Sequence, residues 1–181
     1  MKNLCNEEYT GFCFSYLCQM FIEYENVSSE AKVWIYPSNR KFYPKEIEDV
    51  TQKIQSFIDG WKNDDEEFTA SFQFLYNRFV IFFADDKNES LTTSDINEQV
   101  HFILALQQDY EIELLDKMNV CFKQGEHVQY KDLKEFKKLI KSRAVSEKTI
   151  LFDNLVTTKE EFENYWEVPI SESWYNRFLK K

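Results

Sequence analysis

Phe68-Thr69-Ala70-Ser71-Phe72-Gln73-Phe74-Leu75-Tyr76-Asn77-Arg78-Phe79-Val80-Ile81-Phe82-Phe83-Ala84-Asp85 decides the fold of this chain. Phe68, Ala70, Phe72, Phe74 and Tyr76 alternate with Thr69, Ser71, Gln73 and Leu75, the period of a strand with one buried face. Asn77-Arg78 interrupts the pattern and reads as a two-residue hairpin turn. On that reading Tyr76 pairs with Phe79, Phe74 with Ile81 and Phe72 with Phe83. The second strand, Phe79 to Ala84, is apolar on both faces, which places it at the centre of a sheet.

Working outward, Val33-Trp34-Ile35-Tyr36 is a short buried strand closed by Pro37. Pro44 opens a helix whose inner face is Ile47, Val50, Ile54, Phe57, Ile58 and Trp61, and Gly60 ends it. Asp64-Asp65-Glu66-Glu67 is an acidic loop without the alternating ligands or the sixth-position glycine of a calcium loop. Thr92 and Asp95 form a capping box for a second helix, with Ile96, Val100, Ile103, Leu104 and Tyr110 as its buried stripe. Val120-Cys121-Phe122 and His127-Val128-Gln129-Tyr130 flank Gln124-Gly125-Glu126 as a second hairpin. Leu133, Phe136, Leu139 and Ile140 mark a third helix, and Thr149 to Phe152 a further strand. Thr158 with Glu161 caps a fourth helix that Pro169 ends, and Trp174, Phe178 and Leu179 form a short last helix. The expected order is β-α-β-β-α-β-β-α-β-α-α. It gives an α+β fold: a mixed, largely antiparallel sheet of about six strands, packed with four to five helices.

The 181 residues suit one domain, spanning 20–181, behind an extension at 1–19 that need not belong to the native fold. Seventeen phenylalanines and ten tyrosines supply an aromatic core. A net charge of −10 argues against DNA and against anionic membranes as partners. The longest uncharged run, Tyr9 to Ile22, is too short to cross a bilayer, so no membrane insertion is expected. Only three glycines are present, at 11, 60 and 125, and none sits in a phosphate-binding loop. No cofactor is implied.

Cys5, Cys13 and Cys18 crowd the N-terminus and only Cys121 lies in the body, which cannot make a disulfide framework. A reducing, cytoplasmic compartment follows. The run from Gly11 to Cys18 faintly resembles a signal peptide, but Glu7 and Glu8 stand where positive charge belongs and no cleavage site follows. Met20 is then the expected working start. No Cys-x-x-Cys pair exists, and the two histidines, His101 and His127, cannot build a zinc site, so no metal is expected. His101 reads as a structural histidine within its helix, and Cys121 as a small buried hydrophobe.

Ser38-Asn39-Arg40-Lys41, between the first strand and the first helix, ranks first among candidate sites, because its donors could hold an anion or a carboxylate. Asp116 follows Leu114-Leu115, and Asp153-Asn154 follows Ile150-Leu151-Phe152. These acids stand in apolar settings, although Asp153-Asn154 also reads as a turn. In the third helix Lys134, Lys138 and Lys141 share one face, which reads first as an ordinary solvated face; the sharper reading is a docking face for an acidic partner or RNA.

Several blocks together resemble a small protein family of Bacteroidetes-type bacteria. They are Val33-Trp34-Ile35-Tyr36-x-Ser38-Asn39-Arg40-Lys41-Phe42, Tyr76-Asn77-Arg78-Phe79, Val100-His101-Phe102-Ile103 and Leu114-Leu115-Asp116-x-Met118-Asn119-Val120. Further on come Phe122-Lys123-Gln124-Gly125-Glu126, Phe152-x-Asn154-Leu155-Val156-x-Thr158-Lys159 and Trp166-Glu167-Val168-Pro169-x-x-x-Ser173-Trp174. The blocks span residues 20–179, and the family begins at the position of Met20. Its members commonly carry the label "ABC transporter ATPase". The resemblance thus implies an accessory role in such a system, yet the sequence has neither a Walker A loop nor an evident signature motif. Where relatives carry Gly-Cys-Ser-Ile-Asp, this chain has Thr92-Thr93-Ser94-Asp95-Ile96 and no thiol. The residues favour a binding, adaptor or regulatory domain with a protein partner. The runner-up is an enzyme acting on a small anionic substrate near Arg40.

Overall fold

The computed structural model describes residues 21–61, 69–85 and 91–179. The N-terminal extension, with Cys5, Cys13, Cys18 and Met20, and the acidic loop at 64–67 lie outside the described residues. The elements are β1 (Lys32–Pro37), α1 (Pro44–Gly60), β2 (Thr69–Leu75), β3 (Phe79–Asp85), α2 (Thr93–Tyr110), β4 (Asn119–Gln124), β5 (His127–Asp132), α3 (Leu133–Lys141), β6 (Ile150–Phe152), α4 (Lys159–Tyr165) and β7 (Glu167–Pro169). Two 3-10 turns, Ile170–Glu172 and Trp174–Phe178, take the place of the expected last helix.

The α+β class holds, but the strands form two antiparallel sheets, ordered β1-β3-β2 and β5-β4-β6-β7. The two-faced apolarity of β3 explains why. Val80, Phe82 and Ala84 face α1 and α2, packing with Val50, Ile54, Ile58, Trp61, Ile103 and Leu106. Phe79, Ile81 and Phe83 face the other way, onto Cys121, Val128 and Phe152 of the second sheet and Phe162 and Trp166 around α4. The far side of the second sheet, Val120, Phe122 and Leu151, is closed by Phe136 of α3. The layers are therefore helices, sheet, sheet, helix. Both faces of β3 are covered, so Phe79 to Ala84 lose their entire side-chain surface to the core, at about 25 cal/mol for each Å² removed from water.

The first hairpin is one residue out of the expected register. Leu75 pairs with Phe79, Phe74 with Val80 and Phe72 with Phe82, so the loop holds three residues, Tyr76-Asn77-Arg78. Tyr76 and Asn77 both take left-handed backbone conformations, φ 55° and 51°, and the Arg78 N–H donates to the Leu75 carbonyl at 3.0 Å. A one-residue slip exchanges the faces of a strand. Because β3 is apolar on both faces, its sequence carries no penalty against the slip. The second hairpin forms with a turn one residue shorter than expected, Gln124 pairing opposite His127 and Gly125 at φ 59°.

The expected caps are present. The Thr92 hydroxyl accepts from the Asp95 N–H at 3.3 Å, and the Thr158 hydroxyl from the Glu161 N–H at 3.2 Å. Helix α2 is rotated from its expected stripe: Asp95, Gln99, Ile103, Leu106 and Tyr110 are buried, whereas Leu104 and His101 are exposed. Two buried polar groups have partners that account for this. The Tyr36 hydroxyl donates to Gln99 Oε1 at 3.0 Å, and Trp61 Nε1 donates to the Asp95 carbonyl at 2.9 Å. Among the described residues, no helix is long and apolar enough to cross a membrane.

Candidate functional site

The block after β1 is a structural corner. Ser38 is buried, its N–H donating to the Arg78 carbonyl at 2.9 Å. Asn39 exchanges two bonds with Glu113: its N–H donates to the Glu113 carbonyl, and its Oδ1 accepts from the Glu113 N–H. Arg40 grips Glu46 with two nitrogens at 2.9 and 3.2 Å, donates to the carbonyls of Lys41 and Tyr110, and lies over the Tyr43 ring. The hydrogen bond to Glu46 raises the Arg40 pKa and holds the Glu46 carboxyl below the usual range. Glu46 also accepts from the Tyr43 N–H, so the pair staples the start of α1. A guanidinium engaged in this way has little left for a substrate, and the structure does not bring Arg40 to Asp116 or Asp153.

Asp116, Asp153 and Asn154 do come together. With Ile35, Pro37, Lys117, Asn119 and Phe152 they line a cavity of about 200 Å³ beside β1. A second cavity of about 320 Å³ continues along β1, lined by residues 33–36 and 154–157. The two share Ile35, Lys117, Asn154 and Leu155, so they form one trough. Three apolar side chains stand at its rim: Met118 is 74% exposed, Leu155 71% and Trp174 51%. Large apolar groups left in water beside a concavity mark interaction surfaces.

Local hydrogen bonds hold this rim open. Asp116 Oδ1 accepts from the Met118 N–H at 2.8 Å, and its Oδ2 accepts from Asn119 Nδ2. Asp153 Oδ1 accepts from the Leu155 N–H at 3.1 Å, and the Val156 N–H reaches the Asp153 carbonyl at 3.4 Å. Asp153-Asn154 is thus a turn, and that turn carries Leu155 outward. Trp166 Nε1 donates to Asn154 Oδ1 at 3.1 Å and fixes it from behind.

Behind the trough the sheets bury Arg78 and Cys121. Arg78 is 8% exposed and its Nη1 donates to the Ser38 carbonyl at 2.8 Å, while its Nε and the Ser38 Oγ have no partner among the described residues. Burial lowers the Arg78 pKa. Burial pushes the Cys121 thiol up to about 12, against the pull of Arg78 and Asn154, so it is protonated and not a nucleophile in this setting. His127 is exposed at the start of β5. Tyr175, lining the trough, is raised by burial and then by the Asp153 charge.

On α3, Lys134, Lys138 and Lys141 are exposed and make no ion pair among the described residues. Lys131 instead pairs with Glu135 at 3.4 Å, and Lys137 lies over Phe178.

No family model, curated protein sequence or solved structure matches the chain. Reading from the sequence missed Met118, Leu155, Trp174 and Arg78. The first three are apolar residues in segments bounded by turns, where burial has no periodic signal. Arg78 stands in a hairpin turn, a place that gives no signal of burial.

Proposed function

We propose that this protein is a binding domain, an adaptor or regulator that takes a protein partner in the trough beside β1. One observation carries the reading: three large apolar side chains are exposed around a mainly apolar concavity, on turns that Asp116 and Asp153 hold by their own hydrogen bonds. The first cavity falls below the roughly 300–1,000 Å³ of a drug-sized ligand site and the second only just inside it. Their continuity fits a chain segment better than a compact molecule. The enzyme alternative loses its anion-holding residue, because Arg40 is bound to Glu46, and among the described residues that line the trough no nucleophile is paired with a base.

The test is a selection from a random peptide library displayed on phage, followed by affinity measurement on wild type and on the double variant Met118→Ser/Leu155→Ser. Clones that bind wild type and lose about tenfold or more on the variant, the loss expected for two buried apolar contacts, support the reading. A selection that yields no rim-dependent clone overturns it.

A further inference from the structure

We infer that the occupant is an extended segment of another protein, alternating apolar and basic residues, that adds as a strand to the free edge of β1. The inference rests on the trough being the binding site. In an antiparallel strand the N–H and C=O of successive residues point to opposite sides. The Ala31 carbonyl accepts from Lys159 and the Val33 N–H donates to Thr157, both away from β3. The Ser38 N–H donates to Arg78, toward β3. By this alternation the N–H and C=O of Ile35 point away from β3, into the trough. No other backbone group among the described residues bonds to them.

The segment that begins to cover this edge turns off it. Thr157 pairs beside Val33, but the turn at Asp153 carries Leu155 outward and none of 154–156 bonds to β1. The edge is closed again only at Asn39, by the Glu113 carbonyl. From residue 33 to 39 the opening runs roughly 20 Å at ~3.3 Å per residue. Natural sheets usually cover or charge such an edge. Here it is flanked by Met118, Leu155 and Trp174, which suit the alternate side chains of an added strand.

Charge selects the other side chains. Asp116 and Asp153 line the trough against one Lys117, on a chain of net charge −10. Asp153 uses Oδ1 for the Leu155 N–H, and its second oxygen has no protein partner among the described residues. A basic side chain complements it. A second copy of this chain would bring acid against acid. Pro37, with no N–H at the edge, leaves Ile35 as the residue that both donates and accepts.

The experiment uses a synthetic library of heptapeptides in which residues from Lys, Arg, Glu and Asp alternate with residues from Val, Ile and Phe. Retained members are remade in two series, with N-methyl groups on every apolar residue or on every charged one. Binding is read as Kd, and hydrogen exchange at the Ile35 amide is followed by NMR. The expected members are basic and slow exchange at Ile35. One of the two N-methylated series, the one whose amides face β1, is weakened about tenfold or more by losing strand hydrogen bonds. Asp153→Asn, which keeps the turn acceptor, weakens them about threefold. Rim-dependent members that are acidic, or indifferent to N-methylation, overturn this inference and leave the proposed function standing. An empty set, or one indifferent to Met118→Ser/Leu155→Ser, overturns both. Protection of Ile35 that grows with protein concentration, without peptide, overturns the inference in favour of self-association.

Discussion

Strand β1 runs past one polar neighbourhood along its edge and into another at its end, and the two are built in opposite ways. At Arg40 every strong group is matched from within: guanidinium with carboxylate, amide with carbonyl, cation with ring. In the trough the acids hold their own turns, while Met118 and Leu155 stand largely in solvent and no backbone group among the described residues bonds Ile35. Residue type alone ranks the Arg40 corner first. What separates the two is the use already made of each group: a site needs unsatisfied capacity, and a staple has none.

The largest effect tests how deep the trough goes. If it reached Cys121, the thiol would be open to reagents. With Cys5, Cys13 and Cys18 changed to serine, Cys121 in the native protein at pH 8 is expected to react with a disulfide reagent slower than in denaturant by on the order of 10³ or more. That suppression is what opening against a stability of at least ~5 kcal/mol would give. A thiol pKa pushed up to about 12 acts in the same direction. Rapid native labelling would join the trough to the buried Arg78–Cys121 region and erase the contrast.

Next comes the corner itself. Arg40→Met removes a bidentate pair and a bond to Tyr110, and should cost about 2 kcal/mol in urea unfolding, the range of hydrogen bonds to charged groups. Peptide affinity at the trough should not change. A loss of affinity without a loss of stability would return Arg40 to the binding site.

A pH series refines this. Glu46 has its pKa lowered below 4.5, chiefly by Arg40. Its contribution is present in full above the unfolded value and is lost as pH falls through the folded one. Wild type should therefore lose more stability between pH 6 and pH 3 than Glu46→Gln does. Parallel curves would show that the pair contributes nothing measurable.

Much of the fold was legible because it is local. Thr92 with Asp95, Thr158 with Glu161, Pro44 and Gly125 each state their own backbone geometry. The two sheets were not legible. Whether a second hairpin extends the first or stacks on it depends on contacts such as Phe79 to Phe152, far apart in sequence. The same holds for the site. Asp116, Asp153 and Asn154 could be named from their apolar flanks, but not the edge they share. That Arg40 is engaged by Glu46 and by a carbonyl seventy residues away is a tertiary fact.

The smallest effect on stability is the sharpest test of the contrast. Met118 and Leu155 are 74% and 71% exposed, so replacing each with serine removes little surface that folding buries. Surface changes of this kind usually fall within about 0.5 kcal/mol. If the apolar rim belonged to the fold, each serine would leave a cavity and cost several times more. If it belongs to binding, the double variant melts with wild type yet loses the peptides that wild type selects. Unfolding curves and Kd values on the same preparations separate the two, because a structural residue moves the first and a binding residue moves only the second.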